Sequence, residues 1–294
     1  MRKYASIRYD RIARSFVALV FLAVAAARAQ SSSPLLLDLS GQLATVRYSP
    51  GALDRASKIQ DQVEALVENF NAMSKEKIPL GIYILSPEDW GQFGLQEPYG
   101  MPAAMGGRGL AVPAWGTDES VRLWQSLMKE RLPTIPDAAI SRGSPAQMAS
   151  LLVSDVIALP EVARVQLKAA GFRADELWVQ GVASHIVALA GAVALKDPRV
   201  PEMRMIYASL ETAGGGPKAH PLAKLGEIKT AQTKMWFESQ FFAAASIATA
   251  ANGKQSAKQM LRSALKRGHQ ITVSDLISSF PELNGWLKTS FAPP

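Results

Sequence analysis

The chain has 294 residues, of which 48% are hydrophobic and none is cysteine, so it can bury a large core but has no disulfide or thiolate metal site. Its formal net charge is +7, but six basic residues and one Asp within residues 1–29 account for +5 and leave only +2 for the remainder. Because that remainder holds no basic cluster interleaved with aromatic residues, we expect no nucleic-acid partner.

Residues 1–29 have the layout of a secretory signal peptide. A basic stretch precedes a 12-residue apolar run from Phe16 to Ala27, and the small residues Ala27 and Ala29 suit signal-peptidase cleavage before Gln30. The run is well short of the roughly 20 residues that a membrane-spanning helix needs; a retained N-terminal anchor is the alternative. We therefore expect an exported protein, periplasmic or extracellular, without membrane contact after signal cleavage.

The next segment, 30–43, is interpreted as a linker, and one domain is expected over residues 44–291. Its first part, 44–117, alternates strands and helices. Apolar patterning and turn residues predict strands at 44–48 and 80–85, a helix beginning near Leu53 and a short helix after the capping residue Ser86. This part is predicted to be a small mixed α/β lobe.

Glycines at 106, 107 and 109 lead into a predicted strand at 110–113. We interpret them as a turn, and we predict an edge strand because Pro113 cannot donate a hydrogen bond to a neighbouring strand. A loop that cradles phosphate is the alternative, but neither a following helix nor a lysine-containing phosphate motif supports it.

The second part, 118–291, is predicted to be mainly helical because its apolar residues recur at helical spacing. A flexible glycine-rich connector is expected at 213–217. The fold class is therefore α+β, with the small mixed lobe followed by a helical lobe. Helices are predicted at 118–132, 144–170, 175–195, 230–251, 254–267 and 274–279.

The order of these elements resembles the peptidase MA-like group of gluzincins, which are zinc metallopeptidases. In that group a long helix carries HExxH, and after a loop the next helix opens with a Trp and supplies a Glu ligand. Aligning Trp178 with the family Trp implies that the first His ligand is replaced by Pro160, the second by Arg164 and the Glu ligand by Gly181. The catalytic Glu position is occupied by Glu161.

The resemblance implies a zincin-like lobe in which the helices that carry Glu161 and Gly181 pack side by side, with Gly181 facing Arg164. A shift of one residue would instead place Gln180 at the third ligand position, where it is a poor zinc ligand. Replacing residues 160, 164 and 181 with the family's ligands is expected to restore metal binding.

Histidine content excludes an HExxH motif anywhere in the chain. The sequence has His185, His220 and His269, and no two of them are four residues apart. Proline also lacks the backbone donor that a helix interior uses, which argues against a ligand-presenting face at Pro160. We predict no metal ligand and no cofactor.

Several residues have more than one interpretation. Glu161 and Arg164 have the spacing of an ion pair across the former metal position, but solvated pairs at this spacing are common. His185 is a weak candidate for a ligand or base, and a packed histidine bonded to the backbone is the preferred interpretation. Aromatic residues at helical spacing predict a core or a groove: Trp178, Trp236, Phe237, Phe241 and Phe242.

These features predict an exported, non-catalytic pseudopeptidase that acts as a binding or scaffold module. A peptide or protein segment could add to the predicted edge strand 110–113 beside the long helix. The alternative is a residual hydrolase of the peptidase MA-like group, with an unrecognised site around Glu161 and His185; no Gly-x-Ser-x-Gly elbow supports a serine nucleophile. Nothing in the sequence predicts the oligomeric state.

Overall fold

The computed structural model describes residues 35–74, 78–136, 143–213, 222–228, 230–252 and 255–290. The predicted signal peptide, residues 214–217 of the connector and His220 lie outside the described residues. Within them the fold class is α+β, with a small mixed sheet followed by a helical part, as the sequence predicts.

A five-stranded mixed sheet forms the first part of the fold. Its order is β1-β2-β3-β5-β4, in which β2, β3 and β5 are parallel, and β1 and β4 run antiparallel to their neighbours. The strands are β1 (Leu37–Ser40), β2 (Ala44–Tyr48), β3 (Leu80–Leu85), β4 (Ala103–Met105) and β5 (Gly109–Pro113).

The prediction that 110–113 is an edge strand is wrong. Strand β5 pairs with β3 on one side, up to the register pair Leu85 and Pro113, and with β4 on the other. Proline is tolerated because it ends the strand. The glycines before β5 form the turn that joins it to β4, with Gly107 at φ 76°. The structure also adds β1 within the segment interpreted as a linker.

Helices cover both faces of this sheet. Side chains alternate between the two faces along β2. Ala44, Val46 and Tyr48 therefore lie buried on the face covered by α1 (Leu53–Ser74) and α4 (Pro145–Ala169). On the other face, Trp90 of α2 (Pro87–Gln92) packs with residues of β3, β4 and β5. Ser86 caps α2, as predicted, by accepting a hydrogen bond from the Asp89 amide.

The predicted helices of the second part are present with ends that differ by a few residues. The structure adds α6, α10, a 3-10 helix at Leu222–Glu227 and a parallel pair of two-residue strands, β6 (Arg173–Ala174) and β7 (Gln270–Ile271). The helices are α3 (Asp118–Met128), α4, α5 (Leu177–Ala194), α6 (Val200–Ala213), α7 (Ala231–Asn252), α8 (Gln255–Lys266), α9 (Val273–Ser279) and α10 (Leu283–Ser290).

Helix α4 joins the sheet to the helical part. Its residues Ala158 and Val162 pack under the sheet, whereas Ile157 and Leu159 belong to the core of the helical part. The helix starts at a capping box with Ser144 as the cap and continues through Pro160. Because one helix serves both cores, the two predicted lobes share their central element.

Helix α5 is apolar enough to deserve comparison with a membrane span. Its mean hydropathy is 1.6 over 18 residues. Among the described helices, it alone is long and apolar enough to cross a membrane. However, 72% of it is buried inside the protein, packed against α4 and α7. A helix that is hydrophobic on all sides is typical of a buried core helix as well as of a membrane span, and the packing indicates the former.

Candidate functional site

The predicted site residues lie on two helices that pack against each other. Pro160, Glu161 and Arg164 are in the middle of α4, and Gly181 and His185 are one turn apart near the start of α5. Helix α5 also packs along α7. The predicted side-by-side packing of the two helices is therefore confirmed, and α7 forms a third side of the site.

Arg164 bridges two carboxylates at the centre of this site. Its Nη1 donates to Glu161 Oε1 at 2.5 Å, and its Nη2 donates to Glu238 Oε1 at 3.1 Å and Oε2 at 3.3 Å. The side chains are 25%, 12% and 8% exposed for Arg164, Glu161 and Glu238. The predicted ion pair is confirmed, and the interpretation as a solvated helix face is wrong because the pair is mostly buried.

Glu238 completes the cluster and was missed in the sequence. It lies on α7 within the run Met235–Phe242, where it is the single charged residue among aromatic and small polar neighbours. A buried carboxylate requires a partner. A single charged residue in such a run could therefore have been recognised as a buried, paired carboxylate. The identity of the partner was not recognisable, because Arg164 is 74 residues away in the chain.

One guanidinium serves two carboxylates, and their pKa values move in opposite directions. Burial raises the pKa of Glu161, and the charge of Arg164 only partly offsets this effect. Burial also disfavours ionisation of Glu238, but the charge and hydrogen bonds of Arg164, with the charge of Lys234, outweigh burial and lower the pKa of Glu238. Such splitting is expected when two acids share one compensating charge.

The guanidinium itself is a permanent cation. Burial disfavours its charge, but Glu161 and Glu238 together raise the pKa of Arg164 above its already high ordinary value. The planar donors of arginine also fit two carboxylates at once, which a lysine ammonium does less well. The centre therefore contains a fixed positive charge held between two acids.

His185 is a buried, neutral histidine. Its Nδ1 lies 2.9 Å from the Gly181 carbonyl oxygen, to which it must donate, so the backbone-bonded interpretation is confirmed. Its Nε2 lies 3.4 Å from Glu238 Oε2, but without hydrogen-bond geometry. This contact is too weak to offset burial, which lowers the pKa of His185 to about 4.

Gly181 faces Phe241 of α7 and not Arg164, as the resemblance implied, and it has no room for a side chain. A Cβ atom placed on it would lie 2.5 Å from two ring carbons of Phe241, well inside van der Waals contact. The aromatic ring fills the space that a ligand side chain at residue 181 would need. This contact argues against the expectation that Gly181→Glu would help to restore a metal site, because Phe241 would have to move. Gln180, the alternative ligand position, is half-buried.

The residues at this centre do not fit the zinc ion that the family resemblance implies. Pro160 and Gly181 offer no side-chain donor, and Arg164 brings a positive charge between the two carboxylates. Among the described residues, no group of three or more His, Asp and Glu has an arrangement that could hold a metal ion. Structural zinc sites use four such ligands and catalytic sites three.

The aromatic residues around the centre form part of the core. Trp178, Trp236, Phe237, Phe241 and Phe242 are all buried, which favours the core interpretation over a groove. Tyr207 of α6 stacks on Phe242 with ring centres 4.2 Å apart, and its ring edge approaches His185. His269 lies elsewhere, against Phe172, so it does not join His185.

A separate cavity of about 300 Å³ lies at the carboxyl ends of the parallel strands. It is bounded by the turn after β2, the first turns of α1, the residues that follow β5 and the first turns of α4. Open α/β sheets commonly bind ligands at this end of their strands. The cavity lies between β5 and the long helix, where the sequence predicted a cleft, but β4 pairs with residues 109–111 of β5 and leaves only Val112 and Pro113 without a partner on that side.

No family model matches this chain, and no curated protein matches it significantly. A relationship to gluzincins therefore stays a prediction from the element order and from the positions aligned with Trp178.

Proposed function

We propose that this chain is an exported, non-catalytic member of the peptidase MA-like group that acts as a binding or scaffold module. In this proposal the former metal centre has become a structural ion-pair cluster, and ligand binding belongs to a different part of the fold. The proposal of export rests on the sequence of residues 1–29 alone.

The observation that carries the proposal is the position of Arg164. Its guanidinium lies between Glu161 and Glu238 at hydrogen-bond distance from both. A zinc ion would have to displace this cation and would find carboxylates already paired. A buried charge of this kind is costly to leave unpaired, so the cluster favours its present partners over a metal ion.

A residual hydrolase centred on Glu161 and His185 is the alternative, and the geometry supports it less well. A general base must lie within hydrogen-bond reach of the group that it deprotonates. His185 is 1% exposed and uses Nδ1 for the Gly181 carbonyl, while Arg164 holds Glu161. Neither group is therefore free to act on a substrate without rearrangement of the cluster.

The partner proposal changes with the sheet order. Strand addition next to β5 is disfavoured because β3 pairs with it along its length and β4 pairs with residues 109–111 on the other side, which leaves only Val112 and Pro113 without a β4 partner. The exposed edge beside it belongs to β4, which has three residues and offers few backbone groups. A cavity at the carboxyl ends of the strands is therefore a better candidate for binding than a strand-shaped groove.

The proposal is tested with the chain from Gln30 onward, stripped of metals by a chelator and reloaded with zinc. We expect far less than one zinc ion per chain and no chelator-sensitive cleavage of an unstructured protein such as casein. The exposed Glu68 of α1 supplies the control variant, Glu68→Gln. Stoichiometric zinc with cleavage that Glu161→Gln abolishes and Glu68→Gln preserves would establish the hydrolase alternative.

A further inference from the structure

The cavity at the carboxyl ends of the parallel strands has one polar wall and one apolar wall. The polar wall is α1, which contributes Asp54, Arg55 and Lys58 within its first two turns. The apolar wall consists of Trp115 after β5 and of Met148 and Leu151 on α4. A molecule that fills this space would contact both charge signs and an apolar surface at once.

Arg55 is held rigidly at this cavity. Its Nε donates to the Pro113 carbonyl oxygen at 2.7 Å, and its two terminal nitrogens donate to Asp155 at 2.7 and 3.3 Å. A guanidinium has five N–H donors, so these three bonds leave two N–H groups for a further acceptor. Because Asp155 already fixes the side chain, binding through those groups would cost little conformational entropy.

The charges at the cavity balance. Asp155 compensates Arg55, and the exposed Asp54 and Lys58 carry opposite charges one helical turn apart on α1. A ligand with only a negative charge would meet Asp54, and one with only a positive charge would meet Lys58 and Arg55. A wholly apolar ligand would desolvate all three without pairing them. The walls therefore favour a ligand that carries both charges and an apolar body.

The volume limits the size of that ligand. The cavity has a volume of about 300 Å³. It is at the lower end of the range of about 300–1,000 Å³ for small-molecule sites. A small molecule therefore matches this space better than a polypeptide segment does.

We propose that this cavity binds a free α-amino acid with a bulky apolar side chain, in its zwitterionic form. The carboxylate contacts Lys58 and one of the remaining N–H groups of Arg55, the ammonium contacts Asp54, and the side chain packs against Trp115, Met148 and Leu151. This inference deepens the proposed binding function and rests on it, but it requires neither a metal ion nor hydrolysis.

Phenylalanine is the probe, and the indole N–H signal of Trp115 in a nitrogen-labelled sample is the readout. The signal is assigned with Trp115→Phe, and the dissociation constant comes from an NMR titration. N-acetylphenylalanine and phenylalaninamide each remove one charged contact and should bind about tenfold more weakly, as expected for the loss of one charge-assisted hydrogen bond. A dipeptide, leucyl-phenylalanine, should bind more weakly because it exceeds the volume.

Variants locate the contacts. Asp54→Asn and Lys58→Gln should each weaken binding about tenfold, whereas the matched controls Asp61→Asn on α1 and Lys168→Gln on α4 should not change it. Met148→Trp should abolish binding by filling the cavity from its half-buried position. Circular dichroism establishes that each variant is folded.

The proposal is overturned if phenylalanine leaves the Trp115 signal unchanged, if the two blocked derivatives bind as well as the free amino acid, or if the dipeptide binds more tightly. Binding by the Asp54 or Lys58 variant that is as tight as binding by the unchanged chain would also overturn it. Zinc-dependent hydrolysis would contradict the proposed non-catalytic function but would not alter this titration, so the two failures are distinguishable.

Discussion

Arg164 on α4 and Glu238 on α7 are 74 residues apart in the chain, and they are joined in the core by an Nη2 to Oε1 contact of 3.1 Å. This contact connects the helix that resembles the HExxH helix of gluzincins to a helix that the sequence did not link to the site. With Glu161, it places a guanidinium between two carboxylates at the centre of the helical part.

Removing the guanidinium should destabilise the fold strongly. Arg164→Met leaves Glu161 and Glu238 buried without their common partner, and breaking a buried pair in this way costs about 3–5 kcal/mol. Urea denaturation at pH 7 measures the change in the free energy of unfolding. Arg122→Met, at an exposed arginine of α3, is the control and should change that free energy by less than about 0.5 kcal/mol. Equal effects of the two variants would contradict a structural role for Arg164.

The two carboxylates should differ in their contribution at neutral pH. The lowered pKa of Glu238 means that its ionised form stabilises the fold above the ordinary pKa, so Glu238→Gln should cost about 2 kcal/mol at pH 7. The raised pKa of Glu161 has the opposite effect on the pH dependence of stability. The protonated side chain stabilises the fold at low pH, and this contribution is lost as the pH rises through the folded-state pKa. Glu161→Gln should therefore cost little at pH 7. A larger loss for Glu161→Gln than for Glu238→Gln would reverse this assignment.

His185 should make the fold sensitive to acid. Its folded-state pKa of about 4 lies below the unfolded value of about 6.5, so the unfolded chain binds the proton first. The contribution of neutral His185 to the free energy of unfolding is fully present above pH 6.5. It falls by on the order of 3 kcal/mol as the pH drops towards 4. NMR titration of the His185 ring gives the pKa directly, and His185→Phe should flatten the stability profile between pH 6.5 and 4. A midpoint at or above 6.5 would show that Glu238 stabilises an imidazolium.

Gly181 should not tolerate a side chain. Gly181→Ala places a Cβ against Phe241, and overpacking of this kind costs about 1–3 kcal/mol. We expect this cost to exceed the stabilisation from the higher helix propensity of alanine. Denaturation measurements should show most of the loss recovered in Gly181→Ala with Phe241→Leu, because the smaller side chain makes space. Gly91→Ala on α2 has open space around it and should not destabilise the fold. A Gly181→Ala protein of unchanged stability would mean that α5 and α7 are not closely packed at this point.

Strands and helices with strong local patterns could be predicted from the sequence. The strand order could not, because it depends on pairing between distant segments. Burial alternates along β2, and the Ser86-Pro87 cap fixes the start of α2, so these elements were recognisable. Strand β4 has three residues, Ala103–Met105, too few to show a pattern. The edge-strand prediction for β5 came from Pro113, but Pro113 lies at the end of that strand, where it is tolerated, and β4 pairs with the other end.

The candidate site shows the same division. The spacing of Glu161 and Arg164 predicted their ion pair because both lie on one helix, and the spacing of Gly181 and His185 likewise fixes the backbone contact of the histidine. Glu238 comes from a different helix, so no spacing in the sequence connects it to Arg164. Burial of the whole cluster depends on α5 and α7 closing over α4, which local patterns do not report.

The thermal unfolding midpoint of the chain from Gln30 onward, measured with chelator and with excess zinc, tests the claim that Arg164 supplies the cation of this centre. A ligand at 100 times its dissociation constant stabilises a protein by about 2.7 kcal/mol, which raises the midpoint by several degrees in a domain of this size. We predict the same midpoint in chelator, in buffer and in zinc. A midpoint that chelator lowers and zinc restores would contradict the claim.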